Sequence, residues 1–95
     1  MTGKQRAFLR GKANHTDAII QIGKQGVTPE IVAGLDEALE ARELVKITVL
    51  PNCETDAADA AEILAGRTRA ECVQVIGKKI VLYRKSRTKT VIELP

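Results

Sequence analysis

Aromatic side chains are nearly missing from this sequence, which has one Phe, one Tyr and no Trp in 95 residues. A sheet that stacks unpaired bases on exposed rings, as RRM domains do, needs more than Phe8 and Tyr83, so that mode is excluded. Cysteine is limited to Cys53 and Cys72, with no Cys-x-x-Cys pair and a single histidine, His15. That inventory excludes a disulfide scaffold and a four-ligand zinc site, and both thiols are expected to be reduced and buried. No apolar run approaches the roughly 18 residues of a membrane span, and the opening Met-Thr-Gly-Lys-Gln-Arg is polar, which predicts a cytoplasmic protein. Low-complexity segments are absent, and the length suits one domain over residues 1–95.

What the sequence does have is unevenly placed charge. The net charge is +3, but residues 1–27 carry +4, residues 28–71 carry −6 and residues 72–95 carry +5. Two basic ends around an acidic middle direct attention to an anionic partner, provided the fold gathers the basic segments on one side.

Local patterns give an element order. Thr2 and Gln5 fit a capping box ahead of a helix to about Ala13, in which only Phe8, Leu9 and Ala13 are candidates for burial. Ala18–Ile22 is a short β-branched run ended by glycine. Thr28 and Pro29 open a second helix with Ile31, Val32, Leu35, Ala38 and Leu39 on one arc and Asp36, Glu37 and Glu40 on the other. A strand over 44–50 alternates Val45, Ile47 and Val49 with Lys46 and Thr48. Residues 55–66 read as an alanine-rich helix ending at Gly66, and the runs 72–76 and 79–83 read as a hairpin across Gly77-Lys78 with a II′ turn.

The expected class is therefore α/β, an α-β-α-β-α-β-β two-layer sandwich with a four-stranded mixed sheet. The second and third helices share one face, and the first lies beside the sheet. The basic tail, 86–95, either extends a sheet edge or stays mobile.

Between the first strand and the second helix stands Gly23-Lys24-Gln25-Gly26. A P-loop and a dinucleotide fingerprint both require other glycine spacings. Two readings remain open: a turn in which Gly26 takes positive φ, or a loop that lets a polynucleotide backbone approach closely, as the GxxG loop of KH domains does. Lys24 joins a basic first segment and an acid-free run containing Lys78, Lys79, Arg84, Lys85, Arg87 and Lys89, which shifts the balance toward nucleic acid. With so few aromatics, contacts to phosphates and to shape are expected to dominate.

Catalysis finds less support. His15, Cys53 and Cys72 lack the pattern of a thiol site, and the acids track a helix face, so no enzyme, metal or cofactor is expected. A second class is a protein adaptor that meets ribosomal proteins through the acidic helix over residues 30–43.

The segments "TGKQ", "LRGKA", "QIGKQGVT", "ALEARELVKITVL" and "VQVIGKKIVLYR", with the ending "IELP", together resemble the YhbY-type proteins of the CRM family, named for chloroplast RNA splicing and ribosome maturation. The resemblance runs from Thr2 to Pro95. It implies an RNA-binding domain similar in fold to the C-terminal domain of the third bacterial translation initiation factor, and association with rRNA in precursors of the large ribosomal subunit. The implied site is Gly23, Lys24, Gln25 and Gly26 with Lys4, Arg6, Arg10, Lys12, Arg84, Lys85 and Arg87. A monomer without catalytic activity or cofactor is expected.

Overall fold

In the computed structural model, which describes residues 1–95, helix α1 spans Gly3–Ala13 behind the expected capping box. Thr2 Oγ1 accepts from the Gln5 N–H, and Gln5 Oε1 accepts from the Thr2 N–H, both at 3.1 Å. Two backbone donors at the helix entry are satisfied together. Strand β1 (Ala18–Ile22) leads through the glycine loop into helix α2 (Pro29–Arg42), capped by Thr28, whose Oγ1 accepts from the Ile31 N–H. Strand β2 (Leu44–Val49), helix α3 (Ala57–Thr68) and strands β3 (Glu71–Ile76) and β4 (Lys79–Tyr83) follow. Gly77 has φ +56° and Lys78 has no positive φ, as a II′ turn requires.

Helix α3 runs past Gly66, the expected end, to Thr68. Arg69 takes the left-handed conformation at the C-cap (φ 59°, ψ 35°), and the Arg84 guanidinium donates to the Thr68 carbonyl at 2.9 Å. The helix is thus closed by a partner 16 residues away, which no local signal announces.

The four strands form one mixed sheet in the order β1-β2-β4-β3, with β1 and β2 parallel and the other pairs antiparallel. Alternation divides its two faces. Val45, Ile47 and Val49 of β2 and Ile80 and Leu82 of β4 face α2 and α3, where they pack with Leu35, Leu39, Ala60 and Leu64. All nine are fully or almost fully buried, and each large side chain among them contributes about 1.5–3 kcal/mol by leaving water.

The opposite face carries a second cluster, in which Leu9 and Ala13 of α1 pack on Leu44, Val73, Val81 and Tyr83 with Ile92 from the tail. Helix α1, expected beside the sheet, therefore covers part of its second face. Residues 86–95 add no strand to the sheet edge. They are held instead by two carboxylates of the α2 end. Glu43 accepts from the Ser86 N–H at 2.6 Å, the Val91 N–H at 2.9 Å and the Ile92 N–H at 2.6 Å. Glu40 accepts from the N–H groups of Arg87 and Thr88 and from the hydroxyls of Ser86 and Thr88.

Candidate nucleic-acid interface

The glycine loop is a tight turn closed by the Gly26 N–H donating to the Gly23 carbonyl at 2.9 Å. Gly26 has φ +69°, a conformation that costs an L-residue roughly 1–2 kcal/mol. Gly23 is different. Its φ lies outside that region, and a Cβ there would meet only Leu50 Cδ1 at 3.7 Å and Asn52 Oδ1 at 3.8 Å, ordinary van der Waals distances. The turn itself therefore needs glycine at Gly26 and not at Gly23. Lys24 and Gln25 are exposed at the tip, and α2 begins three residues beyond Gly26, with its positive end beside the loop.

Parallel pairing of β1 with β2 sets this loop at the end of the sheet where β4 begins, since Ile22 aligns with Val49 and Thr48 with Lys79. The β3–β4 turn, with exposed Lys78 and Lys79, stands at that same end. Lys85 and Arg87 are exposed too, but they follow the far end of β4. A five-residue strand of roughly 16 Å separates the two groups. The basic ends of the sequence thus do not form one patch around the loop.

Of the residues expected in α1, Lys4, Arg10 and Lys12 are exposed. Arg6 is half-buried, and its guanidinium donates to the Cys72 carbonyl at 2.6 Å and the Val73 carbonyl at 3.3 Å. It fastens α1 to β3. Arg10 stands one helical turn beyond Arg6 and one before Asn14.

Arg84 leaves the expected footprint. It is 8% exposed, with Nη1 donating to Asp36 Oδ1 at 2.5 Å and Nη2 to the Asp36 carbonyl at 3.1 Å, and Glu40 Oε1 lies 3.7 Å from Nη2. A guanidinium so committed ties β4 to α2 and α3 and has little left for a phosphate. The same contacts correct the picture of a free acidic helix. Asp36 and Glu40 serve the interior and the tail, which leaves Glu37 as the exposed acid of that arc.

The hydrogen bonds from Ser86, Arg87 and Thr88 hold the Glu40 carboxyl down at about 2. For Glu43, burial pushes the pKa up, but the N–H groups of Ser86, Ile92 and Val91, aided by Lys85, outweigh it and leave the carboxyl below its usual range. Burial is also the main influence on Cys72, whose thiol is pushed up against the opposing pull of the Gln74 N–H and Arg6. A nucleophilic cysteine needs the opposite shift. Cys53 is buried, with Sγ donating to the Thr55 carbonyl at 3.4 Å.

Lys46 is the side chain that the sequence reading left outside the site. It lies on the α1 face of β2, with Nζ donating to the Ala13 carbonyl at 3.2 Å, near Lys79, whose Nζ donates to Thr48 Oγ1 at 2.7 Å. Its alternation against Val45 and Ile47 already marks it as pointing away from the main core.

Residues 1–84 match the CRS1 / YhbY (CRM) domain. The chain is 52% identical over its full length to a Bacillus subtilis protein named probable RNA-binding protein YqeI, covering 99% of that protein. It is 33% identical, again over its full length, to a Haemophilus influenzae protein named RNA-binding protein, covering 95% of it. Among solved structures, the solution structure of SAV1595 from Staphylococcus aureus superposes with a TM-score of 0.82 at 47% identity, covering all of this chain and 99% of the other. By fold and by sequence, the chain belongs to the CRS1 / YhbY (CRM) domain family.

Proposed function

We propose that this protein binds RNA without catalysing a reaction, using the Gly23–Gly26 loop and the lysines at the same end of the sheet. The partner in this reading is rRNA within precursors of the large ribosomal subunit, in the cytoplasm. The observation that carries it is Gly23, a residue whose missing side chain serves no internal contact and leaves backbone open to a phosphate next to Lys24 and a helix N-terminus. Family membership and the names of the relatives support RNA as the anion. The ribosomal assignment rests on the resemblance to YhbY-type proteins.

Lys24→Glu tests the loop. Binding to an rRNA fragment at about 0.1 M salt should weaken on the order of tenfold, with an unchanged melting curve. Unchanged affinity would return the motif to a turn. With about four phosphates neutralised by Lys24, Lys78, Lys79 and Lys46, log K should fall with log salt at a slope near −3 to −4. Crosslinking in cells with sequencing of the attached RNA tests the ribosomal part, and enrichment confined to mRNA would refute it.

A further inference from the structure

Helix α1 and the tail cover the sheet over Leu44, Val73, Val81 and Tyr83. Two rows on the same face lead away from this cover, the first buried at its centre and the second open. In one, Lys46 aligns with Val81 and Val81 with Gln74; in the other, Gln21, Thr48, Lys79 and Ile76 run in register across all four strands. Between these rows and the end of α1 lies a hollow of about 150 Å³, lined by Ala13, Asn14, Lys46, Gln74, Ile76, Lys79 and Val81.

Its chemistry is specific. Ile76 is 63% exposed, the most exposed large apolar side chain of the protein, and the almost fully buried Val81 and Ala13 complete the apolar lining. Lys46 and Lys79 stand at the wall. Each ammonium spends one N–H internally and keeps two. Asn14 and Gln74 each offer an amide with donors and an acceptor, the equipment for a base edge. No carboxylate lines the hollow, and the Lys46 bond to the Ala13 carbonyl offsets the negative end of α1. A cavity near this volume accepts about one aromatic ring. The fitting occupant is a flat ring joined to an anion.

Position supplies the second argument. Gln21 is two residues before Gly23, so the open row begins at the glycine loop and reaches Lys79 across two strand spacings, about 10 Å. We infer that the uncovered half of the sheet seats one unpaired nucleotide of the RNA whose backbone passes the glycine loop, with its base on Ile76 and its flanking phosphates at Lys46 and Lys79. The inference rests on the RNA-binding reading and deepens it. A base inside a duplex is stacked and paired and cannot enter, so the site selects an unpaired stretch next to a helix.

The test is a titration of the ¹⁵N-labelled full chain, followed by NMR, with an unpaired oligoribonucleotide and separately with a fully paired RNA hairpin. Unpaired RNA should shift the side-chain amides of Asn14 and Gln74 together with the amides of residues 23–26; paired RNA should shift only the latter. Ile76→Ser, at an exposed position, should weaken unpaired RNA by roughly three- to tenfold and paired RNA by less than about twofold. Shifts confined to residues 23–26 with both RNAs would overturn the nucleotide site and leave the proposed function standing. Equal shifts at Asn14 and Gln74 with both RNAs would also overturn it. Absence of binding by either RNA would overturn both.

Discussion

Gly23 and Gly26 look equivalent in the sequence, yet the fold uses them differently. Gly26 holds a positive φ, whereas Gly23 has an ordinary conformation and room for a Cβ. Gly26→Ala should therefore lower stability by about 1–2 kcal/mol in urea unfolding. Gly23→Ala should change stability by no more than about 0.5 kcal/mol but weaken RNA binding on the order of tenfold, the factor that about 1.4 kcal/mol of lost contact gives. Unchanged RNA binding by Gly23→Ala would remove the case for backbone approach. Arg84 makes the converse point. In sequence it is one more charge in a basic run, and in the structure it is a buried bridge to Asp36 and Thr68. Arg84→Ala should cost about 2 kcal/mol, the half-exposed Asp36 reducing the penalty of a fully buried pair, while RNA affinity of the folded protein stays within about twofold. A charge run shows which residues are basic; only pairing decides which are free.

The elements themselves were legible, and the contacts between distant ones were not. The capping box at Thr2, the Thr28-Pro29 entry and the alternation in β2 are local signals, and each formed as expected. The end of α3, the face occupied by α1 and the course of the tail depend on residues far apart in the chain. The tail is the clearest case. Glu43 bridges α2 to β2 as a single residue at φ 67°, and its carboxylate gathers three N–H groups from 43 to 49 residues away. Because the carboxyls of Glu40 and Glu43 are depressed below their unfolded values, they add stability above about pH 4.5 that is lost as pH falls toward about 2. Tyr83, packed with Ile92, reports this: its near-UV circular dichroism should hold to about pH 4.5 and decline below it. Glu43→Gln should move the decline to higher pH or leave the tail loose at neutrality. A signal flat from pH 7 to 2 would contradict the role of these carboxylates.

At the scale of the whole molecule, the sheet sorts the charge. The sequence shows two basic ends, and the fold divides them between opposite ends of β4, with the glycine loop, Lys78 and Lys79 at one and Lys85 and Arg87 at the other. That division could not be read from composition, since it follows from strand order and direction. Lys46, which the sequence displays only as a polar step in an alternating strand, becomes the link between α1 and the open face. The proposed RNA interface thus lies at one end of the molecule. The most direct measurement is photo-crosslinking of the intact protein to an rRNA fragment, with the crosslinked residues identified by mass spectrometry. Crosslinks should fall at Lys24 and Gln25, and at Lys46, Ile76 and Lys79, with few at Lys85 to Lys89. Crosslinks concentrated on Lys85, Arg87 and Lys89, with none in residues 23–26, would contradict it.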